Sequence, residues 1–333
     1  MDELYKVQTR FLFHSNIKIK IPDKYEESFF DEFFSILENI NKMYNSYSEN
    51  SFIDRINKNA GKFVKVNDRT VEMLERILYF SDILEGEYDI TIMPLIKLWG
   101  FYKANVTSVP DREKIEEIKK TVDYKKIKIN KINNEVKIDA GQEIITGSFI
   151  KSYAIDRLSE KMKEKGITDA VINAGGSSIL SINNNENQNL GIIIENPNPH
   201  KNIEKDPKGY PSRITDSEYR GNDEYNDLFD IEISNEAYST SNQINTYIEI
   251  NGEKYGHIIS PKTGYPGKNR QIGIITEKAF DGDIISTGLF NQSPENFQKI
   301  IKRLSKEMKV EGYLIDGNGK IHYSENFSDY MDI

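Results

Sequence analysis

The segment DIIST, residues 283–287, places the carboxylate of Asp283 and the hydroxyl of Thr287 four residues apart. On a helix, residues with this spacing lie on the same face, so the two oxygens can converge on one point. Two hard oxygen ligands suit Mg²⁺, which keeps several positions for water and substrate phosphate. The alternative is that Asp283 is simply an acidic residue near a helix start, where the helix dipole favours it, and that Thr287 has no related role. The spacing alone leaves both interpretations open.

Two other segments could hold a phosphate group. In GSFIKSYAID, Gly147 leads into a predicted helix whose first turn carries Lys151, so backbone N–H groups and an ammonium would face one anion. In NAGGSS, Asn173 ends an apolar strand and the pair Gly175 and Gly176 would let the backbone approach a ligand closely. The alternatives are that Lys151 is an ordinary solvated lysine and that NAGGSS is a plain turn at the end of a strand.

His257 is one of only four histidines and stands directly before the turn-rich loop SPKTGYP. An imidazole accepts a proton near neutral pH, so His257 is a candidate general base. The alternative is a histidine whose hydrogen bonds are satisfied within the fold. The other three, His14, His200 and His322, lie in weaker contexts, and none has a metal-ligand partner nearby in the sequence.

Composition excludes several functional classes. The chain has 333 residues, long enough for a large core, and 44 basic against 53 acidic side chains give a net charge of −9. This charge argues against binding along a nucleic-acid backbone, so any phosphate must meet a local site. The absence of cysteine excludes thiolate catalysis, disulfides and cysteine metal sites.

Neither a transmembrane segment nor a signal peptide is predicted. No apolar run approaches the roughly 18 residues that span a bilayer, and the N-terminus lacks a basic start with an apolar middle. MDELYK, residues 1–6, resembles the last six residues of green fluorescent protein, so we interpret it as a fusion remnant that precedes native sequence from about Val7. Because an export signal could have been removed with such a fusion, the compartment stays open.

Apolar periodicity predicts interspersed helices and strands without a regular βαβ repeat, which indicates an α+β fold. The predicted helices cover residues 25–44, 68–84 (capped by Asp68 and stopped by Gly86), 148–166 (ended by Gly166), 280–292 and 293–308. The predicted strands and hairpins cover residues 16–21, 130–140, 169–176, 227–234, 246–260 (turning at Asn251 and Gly252) and 310–324. Residues 196–227, rich in Pro, Asn, Gly and charge, are interpreted as an irregular surface excursion.

Six segments resemble, in the same order and over almost the whole chain, the motifs of the ApbE family of FAD:protein FMN transferases. YSENSFIDRIN is similar to the family's Y-x-x-x-S-E-x-x-x-x-N, and GEYDITIMPLIKLWGF to G-x-F-D-x-T-x-x-P-L-x-x-L-W-G-F. GSFIKSYAID resembles D-L-G-x-I-A-K-G-Y-A-x-D, INAGGSS the N-A-G-G segment, and YGHIISPKTGYP the Y-x-H-I-I-D-P-x-T-G-x-P segment. DIIST resembles the D-A-L-S-T metal motif. Each match is modest, whereas the ordered set is specific.

This resemblance implies a single ApbE-type, T-fold-like α+β domain over residues 7–333, with mixed or antiparallel sheets and packed helices. It implies that FAD is split with Mg²⁺ present and that FMN is attached through a phosphoester to a Ser or Thr of an acceptor flavoprotein, releasing AMP. The metal would be held by the side chains of Asp283 and Thr287 and the backbone carbonyl of Ser148, with His257, Asp283 and Lys151 catalytic. The flavin nucleotide would contact Phe13, Tyr47, Glu87, Tyr88, Asp89, Ile145, Lys151, Asn173, Gly175, Gly176, His257 and Ile258.

The sequence departs from the family's pattern at Phe13, usually Met, at Ser152, usually Gly, and at Ile145 and Ser260, where two carboxylates are expected. These changes imply either a reshaped flavin pocket or a changed nucleotide preference, while the Asp283–Thr287 pair and His257 persist. Two alternatives stay open. Nothing in the sequence separates a transferase from an Mg²⁺-dependent FAD pyrophosphatase that releases FMN and AMP, and the missing carboxylates keep open a weakly catalytic flavin-binding protein. The excursion, at about residues 198–227, is longer than the family usually shows and is interpreted as a partner-binding or merely tolerated insertion.

Overall fold

An eight-stranded antiparallel sheet forms the centre of the molecule, in the order β1-β2-β6-β7-β12-β15-β16-β17. The structure is a computed structural model that describes residues 4–101, 103, 106–184, 189–219, 227–243 and 246–332. The strands of the central sheet are β1 (Tyr5–Leu12), β2 (Ser15–Pro22), β6 (Ala170–Ala174), β7 (Ser178–Ile182), β12 (Ala237–Asn242), β15 (Gln271–Thr276), β16 (Val310–Ile315) and β17 (Ile321–Tyr323).

Smaller sheets surround the central one. Strand β11 (Phe229–Ile233) pairs on either side with β8 (Leu190–Ile194) and β18 (Met331–Asp332). The remaining strands are β3 (Val64–Lys65), β4 (Lys128–Asn130) and β5 (Glu135–Lys137) in one sheet, and the hairpins β9 (Lys201–Lys205) with β10 (Pro211–Glu218) and β13 (Tyr247–Ile250) with β14 (Glu253–Gly256).

Helices cover one face of the central sheet. The described helices are α1 (Ser28–Tyr44), α2 (Phe52–Lys58), α3 (Asp68–Ile83), α4 (Met93–Trp99), α5 (Arg112–Lys119), α6 (Ile150–Glu164), α7 (Ala279–Leu289) and α8 (Pro294–Leu304). Buried side chains of all of them except α4 and α5 meet alternate residues of the strands, such as Ile17 and Ile19 of β2 and Ile172 of β6, in the larger core. Helices α4 and α5 pack in a separate, smaller core. None of the described helices has both the length and the apolar character needed to cross a membrane.

The opposite face of the sheet carries a second core. Residues that alternate with those of the first core, including Ile179 of β7 and Tyr238 of β12, pack there against Ile192 and Ile231 of the three-stranded sheet. The central sheet is therefore buried on both faces over much of its area, with helices on one side and a small sheet on the other. This arrangement of antiparallel sheets and segregated helices is an α+β fold, as the sequence predicts.

The predicted helices and strands are found close to their expected positions, with two differences. Helix α3 is capped by Asn67, whose side chain accepts the N–H of Thr70, so the prediction of Asp68 as the cap was wrong by one residue. Gly86 and Gly166 do follow their helices with positive φ, as expected of stop residues. The stretch predicted as irregular, residues 196–227, contains the hairpin β9–β10 in its described part, and residues 220–226 lie outside the described residues.

The hairpin β9–β10 forms because its strands bury a few apolar side chains in an otherwise polar segment. Ile214 is almost fully buried in the second core, Ile203 packs partly against the same cluster, and the backbone N–H of Ile214 donates to the carbonyl of Gly319. Two apolar residues give too weak an alternation to be recognised in the sequence. Whether this segment is an insertion with a role in partner binding stays a prediction.

A third, smaller core fixes the loop that follows strand β14. Trp99 is fully buried at the end of α4, and its indole N–H donates to the carbonyl of Gly264 at 2.8 Å. The rings of Tyr255 and Tyr265 pack on either side of the indole at 5.4 and 5.7 Å. Gly264 has φ +78°, and a Cβ there would lie 2.3 Å from a side-chain carbon of Ile115, so the loop requires glycine at this point. The only tryptophan of the chain thus anchors the turn of SPKTGYP.

We expect the substitution Trp99→Phe to lower the free energy of unfolding by about 1–3 kcal/mol, because the buried carbonyl of Gly264 would lose its donor. Urea unfolding followed by circular dichroism measures this change. Tyr255→Phe is the matched control, since it keeps the ring on the indole and removes only a solvent-exposed hydroxyl contact with Glu253; we expect a change within about 0.5 kcal/mol. Equal stability of both variants would contradict the anchoring role of the indole N–H.

Candidate functional site

A cleft of about 1480 Å³ brings together every residue selected from the sequence as a candidate site residue. The segments that line it come from distant parts of the chain: the β1–β2 turn, the loops before α4 and α6, the β6–β7 turn, strands β8 and β12, the loop after β14, and helix α7. The predicted residues among its lining are Phe13, Tyr47, Glu87, Tyr88, Asp89, Ile145, Ser148, Lys151, Asn173, Gly175, Gly176, His257, Ile258, Asp283 and Thr287.

Helix α7 carries Asp283 and Thr287 to the wall of the cleft. Nearly every residue of this helix is buried, with Thr287 half-buried. The helix can lie this close to its neighbours because a Cβ on Gly282 would come within 2.7 Å of the Ser239 hydroxyl, and one on Gly288 within 2.7 Å of a Leu84 methyl. The expected placement of a carboxylate and a hydroxyl on one helical face of the same cleft is therefore present.

The carboxylate of Asp283 is only 8% exposed, and its polar neighbours are mostly hydroxyl groups. The Ser178 hydroxyl donates towards both carboxylate oxygens at 3.0 Å. Burial raises the pKa of Asp283 to about 6, an effect that Lys151 and the hydroxyls of Ser152, Ser178 and Ser239 oppose. The group is thus mainly ionised at neutral pH, and a cation in the cleft would stabilise it further.

Lys151 lies in the first turn of α6, half-buried at the edge of the cleft. Its ammonium donates to the Ser177 hydroxyl at 2.7 Å and lowers the pKa values of both Asp283 and His257 by electrostatic interaction. Helix α6 has no side-chain cap of its own, but the N–H of Ile150 donates to the carbonyl of Thr146, so an anion near the lysine could meet only later N–H groups of the first turn. This is the arrangement predicted for an anion site.

His257 follows strand β14 and exposes part of its ring to solvent, although protein atoms surround most of the side chain. Its Nδ1 lies 3.1 Å from the backbone carbonyl of Thr246. A carbonyl only accepts, so this contact selects the tautomer with hydrogen on Nδ1 and leaves Nε2 with a free lone pair. Burial, with a contribution from Lys151, lowers the pKa of His257 below its ordinary value. The ring is therefore neutral at pH 7 and able to accept a proton.

The β6–β7 turn brings backbone to the cleft at Gly175 and Gly176, which have φ of +70° and +74°. The Asn173 side chain closes this turn by accepting the N–H of Gly176 at 2.8 Å. A Cβ on Gly175 would lie 1.8 Å from the Ser15 hydroxyl, so the β1–β2 turn approaches the backbone closely at this point. The close approach that the structure shows at Gly175 is to a turn of the protein itself, and both turns line the cleft. The approach of this backbone to a ligand stays a prediction.

Glu87 and Ser260 meet at the other side of the cleft. The Ser260 hydroxyl donates to a carboxylate oxygen of Glu87 at 2.7 Å, and the Lys262 ammonium lies 3.9 Å from the other oxygen. Burial raises the pKa of Glu87, whereas the hydroxyl and the lysine lower it. An aspartate at position 260, as the family pattern leads one to expect, would place a second carboxylate against this buried one. Serine supplies a donor instead.

Tyr88 and Asp89 line the cleft but bond mainly to the protein. The Tyr88 hydroxyl is 3.0 Å from the Ser148 hydroxyl, and burial raises the pKa of this phenol. Asp89 accepts both the N–H and the hydroxyl of Thr91, at 2.8 and 2.7 Å, and the N–H of Tyr124 at 2.8 Å. Its carboxylate is therefore largely occupied in shaping the loop before α4.

Apolar and aromatic side chains form part of the wall. Phe13 and Ile258 are buried, Ile145 is half-buried and Tyr47 is exposed. Phe13 and the next residue, His14, both have positive φ, 53° and 58°, which is uncommon for large side chains and marks the two-residue turn between β1 and β2 as strained. The pairing of β1 with β2 and the packing of the Phe13 ring in the larger core maintain this conformation at the edge of the cleft.

Sequence reasoning missed several residues that line the cleft. They include Ser15, Ser177, Tyr238, Thr240, Ser241, Asn242, Thr246, Gln271 and Asn291, together with His14, which was placed in a weaker context, and the whole of strand β8. Asn291 was detectable in principle, since its spacing of four residues from Thr287 would continue that face of the helix predicted over residues 280–292, although α7 itself ends at Leu289. Strand β8 carried no signal, because its approach to the cleft depends on pairing with β11, which follows it by more than thirty residues.

The donors at α7 fit a hard divalent cation. Asp283 offers a buried carboxylate, Thr287 a hydroxyl and Ser148 a backbone carbonyl, all on the wall of one cleft. Such oxygen ligands suit Mg²⁺, which retains several waters when it binds. Among the described residues, no group of three or more His, Cys, Asp or Glu side chains could hold a metal ion. A metal here would therefore depend on one carboxylate and neutral oxygens.

Comparisons with known proteins agree with the motifs. Residues 13–313 match the ApbE family. The chain is 24% identical over 265 residues to an FAD:protein FMN transferase of Vibrio cholerae, covering 78% of this chain and 72% of that protein. It is 22% identical over 269 residues to the Escherichia coli K12 protein of the same name, covering 79% and 70%. Its fold is similar to that of the ApbE protein of Thermotoga maritima, with TM-score 0.82, 23% identity, and 99% and 100% of the two chains covered.

We expect Gly175→Ala to destabilise the protein more than Gly176→Ala. Both substitutions place alanine at positive φ, which costs about 1–2 kcal/mol at each position. A methyl group at position 175 would also overlap the Ser15 side chain, whereas nothing lies within 4 Å of a methyl group at position 176. Overpacking of this kind adds about 1–3 kcal/mol. Urea unfolding compares the two variants, and Ser15→Gly added to Gly175→Ala should recover part of the loss. Equal destabilisation at both positions would refute the close approach of the two turns.

Proposed function

The chain belongs to the ApbE family, and we propose that it is a transferase that moves the FMN half of FAD to a serine or threonine of an acceptor protein and releases AMP. The observation that carries this proposal is the convergence of Lys151, Asp283 and His257 on a cleft that also has an apolar, partly aromatic wall. The names of the curated relatives, FAD:protein FMN transferase, support the same reaction.

The cleft has the size and lining that a dinucleotide substrate requires. Its volume of about 1480 Å³ exceeds the roughly 300–1,000 Å³ of an ordinary small-molecule pocket. We assign the flavin ring to the side formed by Phe13, Tyr47, Ile145 and Ile258, where ring and aliphatic groups offer apolar contact. The diphosphate then lies towards Lys151.

Lys151 would hold the diphosphate by charge and by hydrogen bonding. It stands in the first turn of α6, where the positive end of the helix dipole also favours an anion. The net charge of the chain is −9, so a local cation is needed to bring a polyanionic substrate to the site. The Ser177 hydroxyl holds the ammonium at the edge of the cleft.

Asp283, Thr287 and the Ser148 carbonyl would hold Mg²⁺. When bound, this ion neutralises charge on the phosphate oxygens, the main requirement of phosphoryl transfer. The serines around Asp283 keep its carboxylate oriented while it remains partly desolvated. The protein thereby presents an ionised carboxylate in a partly desolvated place, where its electrostatic attraction for a cation is strongest.

His257 would act as the general base. The acceptor hydroxyl oxygen forms a bond to the phosphorus of the FMN phosphate, and the bond from that phosphorus to the bridging oxygen breaks. AMP leaves with the bridging oxygen and its electron pair, and the hydroxyl proton passes to Nε2 of His257, the nitrogen that Thr246 leaves free. Help of this kind contributes about 10²- to 10⁴-fold to rate.

The test of the function mixes the protein, FAD and Mg²⁺ with or without a small acceptor flavoprotein, and follows AMP and covalent flavin fluorescence on a denaturing gel. AMP release that depends on the acceptor, with a fluorescent acceptor band, supports transfer. AMP release without a labelled band identifies a pyrophosphatase. Absence of both leaves a flavin-binding protein and refutes the proposed reaction.

We expect Asp283→Asn to abolish AMP release while leaving thermal stability close to that of the wild-type protein. The amide keeps the shape and can still accept hydrogen bonds from the serines, but it removes the charge that a divalent cation needs. Asp281→Asn is not a suitable control because it would break a partly buried ion pair with Arg76. Asp329→Asn is suitable, because Asp329 is exposed and does not line the cleft. Full activity of Asp283→Asn at ordinary Mg²⁺ concentration would remove the metal assignment.

We expect His257→Ala to lower kcat by about 10²-fold or more while the affinity for FAD changes little, because the base acts on the acceptor hydroxyl. At saturating Mg²⁺, the acid limb of the wild-type kcat profile should lie below the ordinary range of a histidine, since burial and Lys151 lower the pKa of His257. This acid limb should be absent from the variant. Weaker FAD binding with an unchanged kcat would make His257 a binding residue.

A further inference from the structure

The first turn of helix α7 is held by a carboxylate from helix α6. Asp156 Oδ1 accepts the backbone N–H of Ala279, and its Oδ2 accepts that of Phe280, both at 2.9 Å. The carboxylate is 5% exposed, and both N–H groups are buried with it. Asp156 precedes its partners by 123 and 124 residues, so this contact is purely tertiary.

Helix α7 depends on this contact because it begins without a side-chain cap of its own. Lys278 occupies the capping position and makes no side-chain hydrogen bond to the first turn. The first N–H groups of any helix lack intrahelical partners, and leaving them unpaired in a buried place is costly. Asp156 satisfies two of them with an ionisable group, whose charge also suits the positive end of the helix dipole.

The same contact sets the position of one half of the site relative to the other. Helix α6 carries Lys151 in its first turn and Asp156 in its second, while α7 carries Asp283 and Thr287 directly beyond the bonded turn. Asp283 lies three residues beyond Phe280, about 4.5 Å along the helix axis. Only one turn of rigid helix therefore lies between the backbone that Asp156 holds and the first metal donor, Asp283.

Aromatic packing makes the junction between the two helices stiff. The Phe280 ring meets Tyr153 of α6 edge-on at 5.4 Å and Phe149, just before α6, at 5.9 Å. On its other side, the first turn of α7 is tied to α3 by a bidentate ion pair between Arg76 and Asp281, at 2.7 and 3.0 Å. The two carboxylates thus fix the turn from two directions, but only Asp156 ties it to the helix that bears Lys151.

We propose that Asp156 is a positioning residue for this reaction, which fixes helix α7 against helix α6 so that the donors Asp283 and Thr287 face the phosphate group held by Lys151. The proposal rests on the proposed function. Asp156 does not line the cleft, so it acts through the backbone of α7. Burial raises the pKa of Asp156 to about 7, against the lowering effect of the two N–H groups and Lys278, so both oxygens are free to accept at slightly alkaline pH.

The variant Asp156→Asn tests this role at pH 8. An amide can accept only one of the two N–H groups and turns its own NH₂ towards the other, so the turn should shift. We expect kcat for FAD to fall by about 10- to 100-fold, the usual effect of changing a residue that orients a metal ligand, with KM for FAD within about twofold. The affinity for Mn²⁺, measured by electron paramagnetic resonance as a stand-in for Mg²⁺, should fall in parallel.

Ser293→Ala is the matched control, because it removes the cap of helix α8, where Ser293 accepts the N–H of Asn296, and no residue of α8 lines the cleft. It should cost about 1 kcal/mol of stability and leave kcat and Mn²⁺ affinity unchanged. If kcat and Mn²⁺ affinity fall in Asp156→Asn but not in Ser293→Ala, the result supports the role of Asp156 in positioning helix α7. Wild-type kcat and Mn²⁺ affinity in Asp156→Asn, or equal losses in the two variants, overturn it.

Failure of the proposed function is distinguishable from failure of this inference. If the wild-type protein binds Mn²⁺ without splitting FAD, the reaction is wrong, and the Mn²⁺ comparison still decides whether Asp156 positions α7. If it neither splits FAD nor binds Mn²⁺, both are overturned. Should Asp156→Asn not fold, amide hydrogen exchange of the wild-type protein decides: the N–H groups of Ala279 and Phe280 should be as protected as the interior of α7, and fast exchange overturns the proposal.

Discussion

Asp283 is a carboxylate that the fold removes from water while keeping it ionised, and the rest of the site follows from this constraint. A buried charge is costly unless hydroxyls, N–H groups or cations surround it. Here Ser178 of β7, Ser239 of β12 and Lys151 of α6 supply these groups. Three elements that are distant in sequence must therefore meet at one point, and the cleft lies where they meet.

The geometry of that point is determined by packing between helices rather than by loops. Gly282 and Gly288 let α7 lie directly on β12 and on the end of α3, since a methyl group at either position would overlap its neighbours. Asp156 and the Arg76–Asp281 pair then fix the first turn of the helix. Groups carried on rigid, closely packed helices keep their relative positions more accurately than groups on mobile segments, which phosphoryl transfer requires.

Local features of this arrangement could be predicted from the sequence, and distant ones could not. Some features depend only on residues close together in the sequence, so local patterns predict them. They are the Asp283–Thr287 spacing, the glycine turn at 175 and 176, and the helix stops. The cap of α3 was misassigned because Asn67 and Asp68 are both good capping residues and only the backbone conformation separates them. The hydrogen bonds of Asp156 and the approach of β8 depend on pairings that no local pattern records.

One departure from the family's motifs, Ser260, has a direct electrostatic consequence. If position 260 were a carboxylate, it would lie beside Glu87, and two buried carboxyl groups in contact cannot both be ionised without a large rise in one pKa. Ser260 removes that conflict by donating to Glu87, with Lys262 near its other oxygen. The anchoring of the same loop by Trp99 is unaffected, because it acts through the carbonyl of Gly264. The serine therefore changes the charge next to Glu87 at the wall of the cleft, away from the contacts of Asp283 with Ser178 and of Lys151 with Ser177.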